Sequence, residues 1–293
     1  MTHATLFFNP SSGGYSPQRA DRIVRQLRVA GIEAAVAFPG SESGARRMVR
    51  ELCDAGDEPL IIAAGGDGTV NTVINGMLPG RGTLGVIPLG TANVIGHELD
   101  IRSVGDAIAA IATGTRRPFS VGEVSCGETS RRFLLMAGIG IDGAIVAGVR
   151  DREKRRFGRM AYCLSAVREI RRWDRSPLVV STGGFCTRCS SVIVSNASRY
   201  AGRYRINRTT SIFHRSLEVI PFDWKSPITF LLNAITTAVT GRLPSPRGGV
   251  AITTGEITIS GNRPGQVDGD PFGRGEMVIR LIPDFGTIIT TPV

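Results

Sequence analysis

Residues 60–64 are apolar without a break and lead straight into Gly65, Gly66, Asp67, Gly68 and Thr69, after which a helical pattern begins. A short, wholly apolar run of this kind reads as a strand buried on both faces, the mark of a parallel sheet with crossover helices. The glycines allow backbone N–H groups to approach a ligand closely, and the helix that follows adds the positive end of its dipole, so an anionic phosphate suits the turn. A carboxylate amid those amides implies a Mg²⁺ ion or a hydroxyl proton close by. Two further turns share this design. Residues 83–87 run into Pro88, Leu89, Gly90, Thr91, Ala92 and Asn93, and residues 5–8 into Asn9, Pro10, Ser11, Ser12, Gly13 and Gly14. An aspartate cap on a glycine turn accounts for one such segment; three at the same sheet edge are hard to explain as packing.

The rest of the first third fits an α/β unit. Strands are predicted at 5–8, 34–38, 60–64 and 83–87, with helices at 18–29, 45–52, 70–77, near Glu98 and at 104–112. Ser16 followed by Pro17 is a helix start, and Gly31 ends that helix. Near residue 115 the pattern changes to short strands at hairpin spacing (119–124, 132–137, 178–181, 191–195, 217–221, 250–253, 256–259 and 277–282), interrupted by a basic helix at 159–172 and a helical stretch at 228–240. Two domains are expected, 1–115 and 116–293, with the last strand free to return to the first.

The formal net charge is +10 and only Lys154 and Lys225 are lysines, so the basicity is arginine. Such a field attracts nucleic acid, an anionic leaflet or a polyphosphate alike. Arg150, Arg152, Lys154, Arg155, Arg156 and Arg159 precede a helix that continues with Arg168, Arg171 and Arg172 up to Arg175, a segment suited to an anionic membrane surface. Nucleic acid is set aside, because no aromatic stacking platform accompanies the charge. The longest apolar stretches, 133–149 and 228–239, are too broken to span a bilayer, so membrane contact is expected to be peripheral. No charged-then-apolar leader opens the chain, which predicts a cytoplasmic protein on the inner face of the membrane. The five cysteines fit a reducing compartment, and Cys186 with Cys189, lacking a second pair, does not define a zinc site.

Taken in order, Asn9-Pro10 with Gly13, the run 65–76, the run 88–93, the segments 138–142 and 158–162, Asn196 with Gly202, and Asp268-Gly269-Asp270 resemble the diacylglycerol kinases, sphingosine kinases and related bacterial lipid kinases. The resemblance implies an NAD kinase/diacylglycerol kinase-like α/β nucleotide-binding domain followed by a β-sandwich-like lipid-kinase domain, with ATP and Mg²⁺ in the cleft and a lipid hydroxyl as acceptor. Carried over by position, Asn9, Pro10, Ser11, Ser12, Gly13, Gly66, Gly68, Thr69, Asn71 and Thr91 contact nucleotide, Asp67 manages the Mg²⁺-phosphate group, and Asp270 is the base. No residue is assigned to a structural metal, since Phe213, His214, Arg215 and Ser216 replace the family's acidic segment. Phosphoryl transfer is mostly positioning and charge neutralisation, with a carboxylate taking the hydroxyl proton, and closure of two domains would assemble such a site.

Departures from the family are specific. Thr72 stands in place of a glutamate, Val94 in place of an aspartate, Pro39 in place of a threonine with Ser41 nearby, and Asp270 is one methylene shorter than the usual glutamate. They leave open a second reading, a weakened homologue that binds lipid or nucleotide as a carrier or regulator. An NAD kinase-like activity is a third. Which lipid is used, and whether the chain dimerises, are not written in the sequence. Outside the resemblance, Asp268 to Asp270 would read as a hairpin turn.

Overall fold

The computed structural model describes residues 1–10, 14–56, 58–158, 160–172, 174, 176–200, 204–206, 210–223, 226–242, 250–252 and 255–292, without the side chains of 151, 154, 155, 200, 235, 238 and 251. Ser11, Ser12, Gly13, Arg159, Trp173, Arg175 and Gly202 therefore lie outside the described residues. The chain divides into two compact units, Met1–Ser120 with Pro283–Val293, and Val121–Ile282.

The first unit runs β1 (Thr2–Phe8), α1 (Pro17–Val29), β2 (Ile32–Ala37), α2 (Glu42–Asp54), β3 (Leu60–Gly65), α3 (Asp67–Gly76), β4 (Thr83–Pro88), α4 (Val94–Glu98), α5 (Val104–Thr113) and the start of β5 (Thr115–Cys126). Its strands pair in parallel in the order β2, β1, β3, β4, and β4 takes as its next parallel neighbour the end of the last strand of the chain, with Thr287 opposite Thr83. Every residue of β3 and β4 is buried, as the unbroken apolar sequence of β3 requires. Helix α1 packs with α5 and α2 with α3, so both faces are covered. Ala20, Ile23 and Leu27 form the buried stripe of α1, and Ala45, Val49 and Cys53 that of α2. Truncating a fully buried sheet residue such as Ile62 costs about 2–5 kcal/mol.

The register settles where the site can be. Phe8 pairs with Ala64, Gly65 with Pro88, and Phe7 with Ala37, so β1, β2, β3 and β4 end along one edge. The chain leaves β1 toward β2 on one side and returns to β3 on the other, which makes that edge a topological switch point.

The second unit continues β5 and adds β6 (Thr129–Phe133), β7 (Met136–Ile139), α6 (Ile141–Ala147), α7 (Asp151–Phe157), α8 (Met160–Arg172), β8 (Leu178–Thr182), β9 (Phe185–Cys189), β10 (Ser191–Ser195), β11 (Arg199–Tyr200), β12 (Tyr204–Arg205), β13 (Leu217–Phe222), α9 (Pro227–Thr240), β14 (Val250–Ile252), β15 (Glu256–Ser260), β16 (Pro264–Val267), β17 (Asp270–Arg274) and β18 (Met277–Thr290). One antiparallel sheet has the order β14, β13, β10, β7, β16, β17. A second is built from the start of β18 with β15, β8 and β9, and β5 pairs with β6. Val192, Val194, Leu217, Val219 and Val267 of the first sheet meet Leu178, Val180, Ile257, Ile259 and Ile279 of the second in one buried cluster, giving a sandwich. The opposite face of the first sheet is also buried, with Met136, Ile193, Ile220 and Phe222 against Ile141 of α6 and Phe230 of α9.

The basic helix expected at 159–172 is α8, a further short helix, α7, precedes it, and α6 occupies part of the apolar stretch 133–149. Cys186 is exposed and Cys189 buried on β9, opposite faces of one strand, which suits no shared metal.

Candidate active site

The turns after β3 and β4 touch. A Cβ on Gly90 would stand 2.6 Å from the Cα of Gly66, and Leu89 donates its N–H to the Gly65 carbonyl at 2.8 Å. The turn after β1 joins them through Gly14, where a Cβ would come within 2.0 Å of the Leu89 carbonyl oxygen. Asn93 sits in the left-handed region at φ 46° and fixes its turn reciprocally: its Oδ1 accepts the Gly90 N–H and its Nδ2 donates to the Gly90 carbonyl, both at 2.8 Å. Asparagine is among the few residues that tolerate this backbone and can also hydrogen-bond locally.

Asp67 links the two loops electrostatically. As the first residue of α3 it follows Gly66, the N-cap, and its Oδ1 accepts the Ile95 N–H at 3.0 Å, capping α4 as well. Burial holds its carboxyl above the usual carboxylate range, partly offset by the N–H groups of Ile95 and Val94 and by the nearby His97. Gly68 differs from its neighbours: nothing lies within 4 Å of where its Cβ would be, so no packing demand explains the absence of a side chain.

The other residues predicted from sequence fall into three groups. Pro10 and Thr91 are exposed and Asn9 and Gly66 are half-buried along the edge. Thr69 is folded over Gly65, whose added Cβ would meet its Oγ1 at 2.2 Å, and Asn71 is buried, receiving Asn75 Nδ2 on its Oδ1 at 3.0 Å. Both side chains are buried within the first unit. Ser11, Ser12 and Gly13 lie outside the described residues. Ser41 caps α2, accepting the Gly44 N–H at 3.1 Å, and Thr72 donates to the Gly68 carbonyl at 2.9 Å. Arg19 escaped the sequence reading. Its guanidinium donates to the Gly14 carbonyl at 3.1 Å and brings a cation to the edge, a role foreshadowed only by its place in the first turn after Ser16-Pro17.

In the second unit the scattered motifs meet at one hairpin. Asp268, at φ 50°, accepts N–H bonds from Leu134, Leu135 and Met136 at 2.8, 3.0 and 2.9 Å, so its carboxylate is committed to holding the turn. Asn196 grips the same segment from Nδ2 to the Leu134 carbonyl at 2.8 Å. Gln266 accepts the Gly269 N–H at 2.8 Å and donates to Asp142 Oδ2 at 2.7 Å, directly over Gly138, where a Cβ would be 1.9 Å from that oxygen. Tyr162 reaches the Gly269 carbonyl at 3.5 Å. The turn is thus a hairpin between β16 and β17, and it presents Asp270 at the start of β17. Asp270 Oδ2 accepts from Arg131 Nη2 at 2.9 Å, and its side chain is 38% exposed against 14% for Arg131. Neither Arg131 nor Gln266 was marked in the sequence, since each lies on a strand far from the aspartates it serves.

Touching glycine-rich turns at the switch-point edge of an α/β unit and a carboxylate presented by a hairpin of a β-sandwich are features suited to phosphate chemistry. Comparison with known proteins narrows the field. Residues 3–124 match the family model described as the diacylglycerol kinase catalytic domain. A diacylglycerol kinase of Bacillus subtilis (strain 168) is 31% identical over 172 residues, 57% of this chain and 55% of that protein. A "Probable lipid kinase YegS-like" of Pseudomonas aeruginosa is 36% identical over 146 residues, 49% of this chain and 47% of that protein. The matched region spans about half the length of these curated relatives. Among solved structures, a diacylglycerol kinase from Bacillus anthracis str. Sterne aligns over 99% of this chain and 97% of that one, with TM-score 0.77 and 22% identity, a likeness of fold. The first part of the chain is thus similar to the catalytic domain of the diacylglycerol kinases, in keeping with the motifs that carry the resemblance.

Proposed function

We propose that this chain is an ATP-dependent lipid kinase, moving the γ-phosphate of ATP to a lipid hydroxyl. The observation that carries the reading is the contact between the glycine-rich turns, with Asp67 bridging those after β3 and β4, together with the separate presentation of Asp270. The turn amides and the helix dipoles of the first unit suit a triphosphate, with Arg19 adding positive charge. Asp270 accepts the proton of the attacking hydroxyl, whose oxygen forms the new bond to phosphorus as ADP leaves. Arg131 fixes one oxygen of that carboxylate and leaves the other for the acceptor.

Among the described residues no three His, Cys, Asp or Glu side chains converge, so no protein cage for a cation is present there. A Mg²⁺ that keeps its waters and is held chiefly by substrate phosphates needs one or two carboxylates, and Asp67 fits as one of them. Bound there, the ion would neutralise phosphate charge.

The acceptor is a lipid, and the surface that would meet it is that of an anionic membrane. Arg150, Arg152, Arg156, Arg171 and Arg172 are exposed, while Arg168 is engaged with Glu153 at 2.7 Å. Met160, Leu164 and Val167 are exposed at helical spacing on α8. Each cation near such a surface contributes about 1 kcal/mol, which supports reversible attachment at the inner face of the cytoplasmic membrane. No described helix is long and apolar enough to cross a bilayer.

One observation favours a second reading, a nucleotide-binding regulator: Thr72, where a carboxylate is expected, spends its hydroxyl on its own helix. The test is transfer of labelled γ-phosphate from ATP with Mg²⁺ to diglyceride, sphingoid base, polyprenol and glycolipid in mixed micelles, with NAD⁺ as a further acceptor. Phosphorylation of a lipid supports the kinase. Phosphorylation of NAD⁺ alone selects the NAD kinase-like alternative, and nucleotide binding without transfer to any acceptor selects the regulator.

A further inference from the structure

Three aromatic rings gather beside the phosphate edge, none of them used by the turns themselves. Phe8 ends β1 and is buried, Tyr15 follows the first turn, and Phe38 leaves the end of β2 with 52% of its surface exposed. Phe38 stacks on Phe8 with centroids 5.8 Å apart and planes 18° from parallel. Tyr15 meets Phe38 edge-on at 6.1 Å and 79°, and meets Phe8 at 5.9 Å. The Phe38 ring is therefore backed by Phe8 and flanked by Tyr15, while half the side chain stays open to solvent. An isolated exposed phenylalanine needs no explanation. A ring held by two others, at the same edge as the phosphate turns and half exposed, is placed to offer its open surface to a ligand.

Resting on the kinase reading, we propose that Phe38, backed by Phe8 and Tyr15, is the stacking platform for the purine base of the nucleotide. The register supports the span: β2 is separated from β3 by β1, two strand spacings or about 10 Å. A nucleoside triphosphate covers that distance between its base and its outer phosphates. The platform also compensates for Pro39, which has no hydroxyl, and for Ser41, whose hydroxyl caps α2. Recognition through a π-face rather than through base edges reads aromatic surface, so GTP should be held nearly as well as ATP.

The experiment is equilibrium titration of the full chain with ATP and, in parallel, with inorganic tripolyphosphate. Phe38→Ala is expected to weaken ATP binding by about 5- to 150-fold and leave tripolyphosphate binding unchanged, while Phe38→Trp restores ATP affinity. Phe38→Leu keeps the apolar contact with Phe8 but removes the π-face, and should lose ATP affinity like the alanine variant even if that one folds poorly. Unchanged ATP affinity in Phe38→Leu, or equal loss for ATP and tripolyphosphate, overturns the platform and leaves the kinase reading intact. A wild type that binds neither ligand overturns both.

Discussion

At the scale of single residues, the glycines at the phosphate edge divide by what their missing side chains make room for. Gly90 and Gly14 make room for protein, since a Cβ on either would strike the neighbouring turn. Gly68 makes room for nothing in the chain. Gly68→Ala in α3 should therefore hold or raise stability, by up to about 1 kcal/mol, in urea unfolding, yet weaken ATP binding by at least about tenfold through a blocked approach. Gly90→Ala should lose both stability and binding. Asp67 carries a comparable trade. Its folded carboxyl binds a proton more tightly than the unfolded one, so ionisation costs stability, a cost that grows from the ordinary carboxylate value of about 3.9 up to the raised native value and is full above it. Asp67→Asn, which keeps an oxygen for the Ile95 N–H, should raise Tm at neutral pH, and the gain should vanish below about pH 3.9. A lower Tm at pH 7 would show that the carboxylate is instead a net stabiliser. Asp67 was legible in the sequence because glycines and a buried strand surround it. Arg131 was not, since 139 residues separate it from Asp270 and only the folded hairpin joins them.

Among the elements, legibility followed periodicity. The unbroken apolar run of β3 and the capped helix α1 announced the parallel unit, because a strand buried on both faces and an amphipathic helix leave different patterns. The stretch 133–149 did not separate into β7 and α6, since both are buried and a continuous apolar run has no face to show. Its divider is Gly140, at φ 103°, where the chain turns from strand to helix. Helix α7 was read as a basic run-up to the next helix because its sequence is dominated by charge. The hairpin reading of Asp268 to Asp270 holds, with Asp268 locking the turn and Asp270 at the start of the next strand, and that geometry is compatible with the proposed base. Gly138→Ala tests that lock. The added methyl collides with Asp142, disturbing the Gln266 bridge, and should cost about 1–3 kcal/mol in urea unfolding while lowering kcat more than it changes KM for ATP. A neutral effect on both would mean that the Asp142–Gln266 pair does not position the turn.

For the whole molecule, the two units divide the candidate residues, with the glycine-rich turns and Asp67 in one and Asp270 with a basic, partly apolar surface in the other. The sequence reading divided the chain at residue 115; the compact units change at Ser120, and the chain returns to the first at Pro283 as β18 pairs with β4. The net charge of +10 alone could not say where the basicity acts, because composition does not place charge on a surface. Sedimentation with phosphatidylglycerol vesicles should capture the protein, phosphatidylcholine vesicles should not, and added salt should release it. Replacing Arg150, Arg152 and Arg156 together with Gln should weaken capture by about 100-fold, at about 1 kcal/mol per charge. Capture that persists undiminished would move the docking surface elsewhere. The most direct measurement of the central claim is γ-phosphate transfer to the best lipid acceptor by wild type, Asp67→Asn and Asp270→Asn, each verified as folded. The account predicts lipid phosphorylation by wild type and a loss of at least about 100-fold in each variant, the scale on which a general base acts. Wild-type turnover in either variant would contradict it.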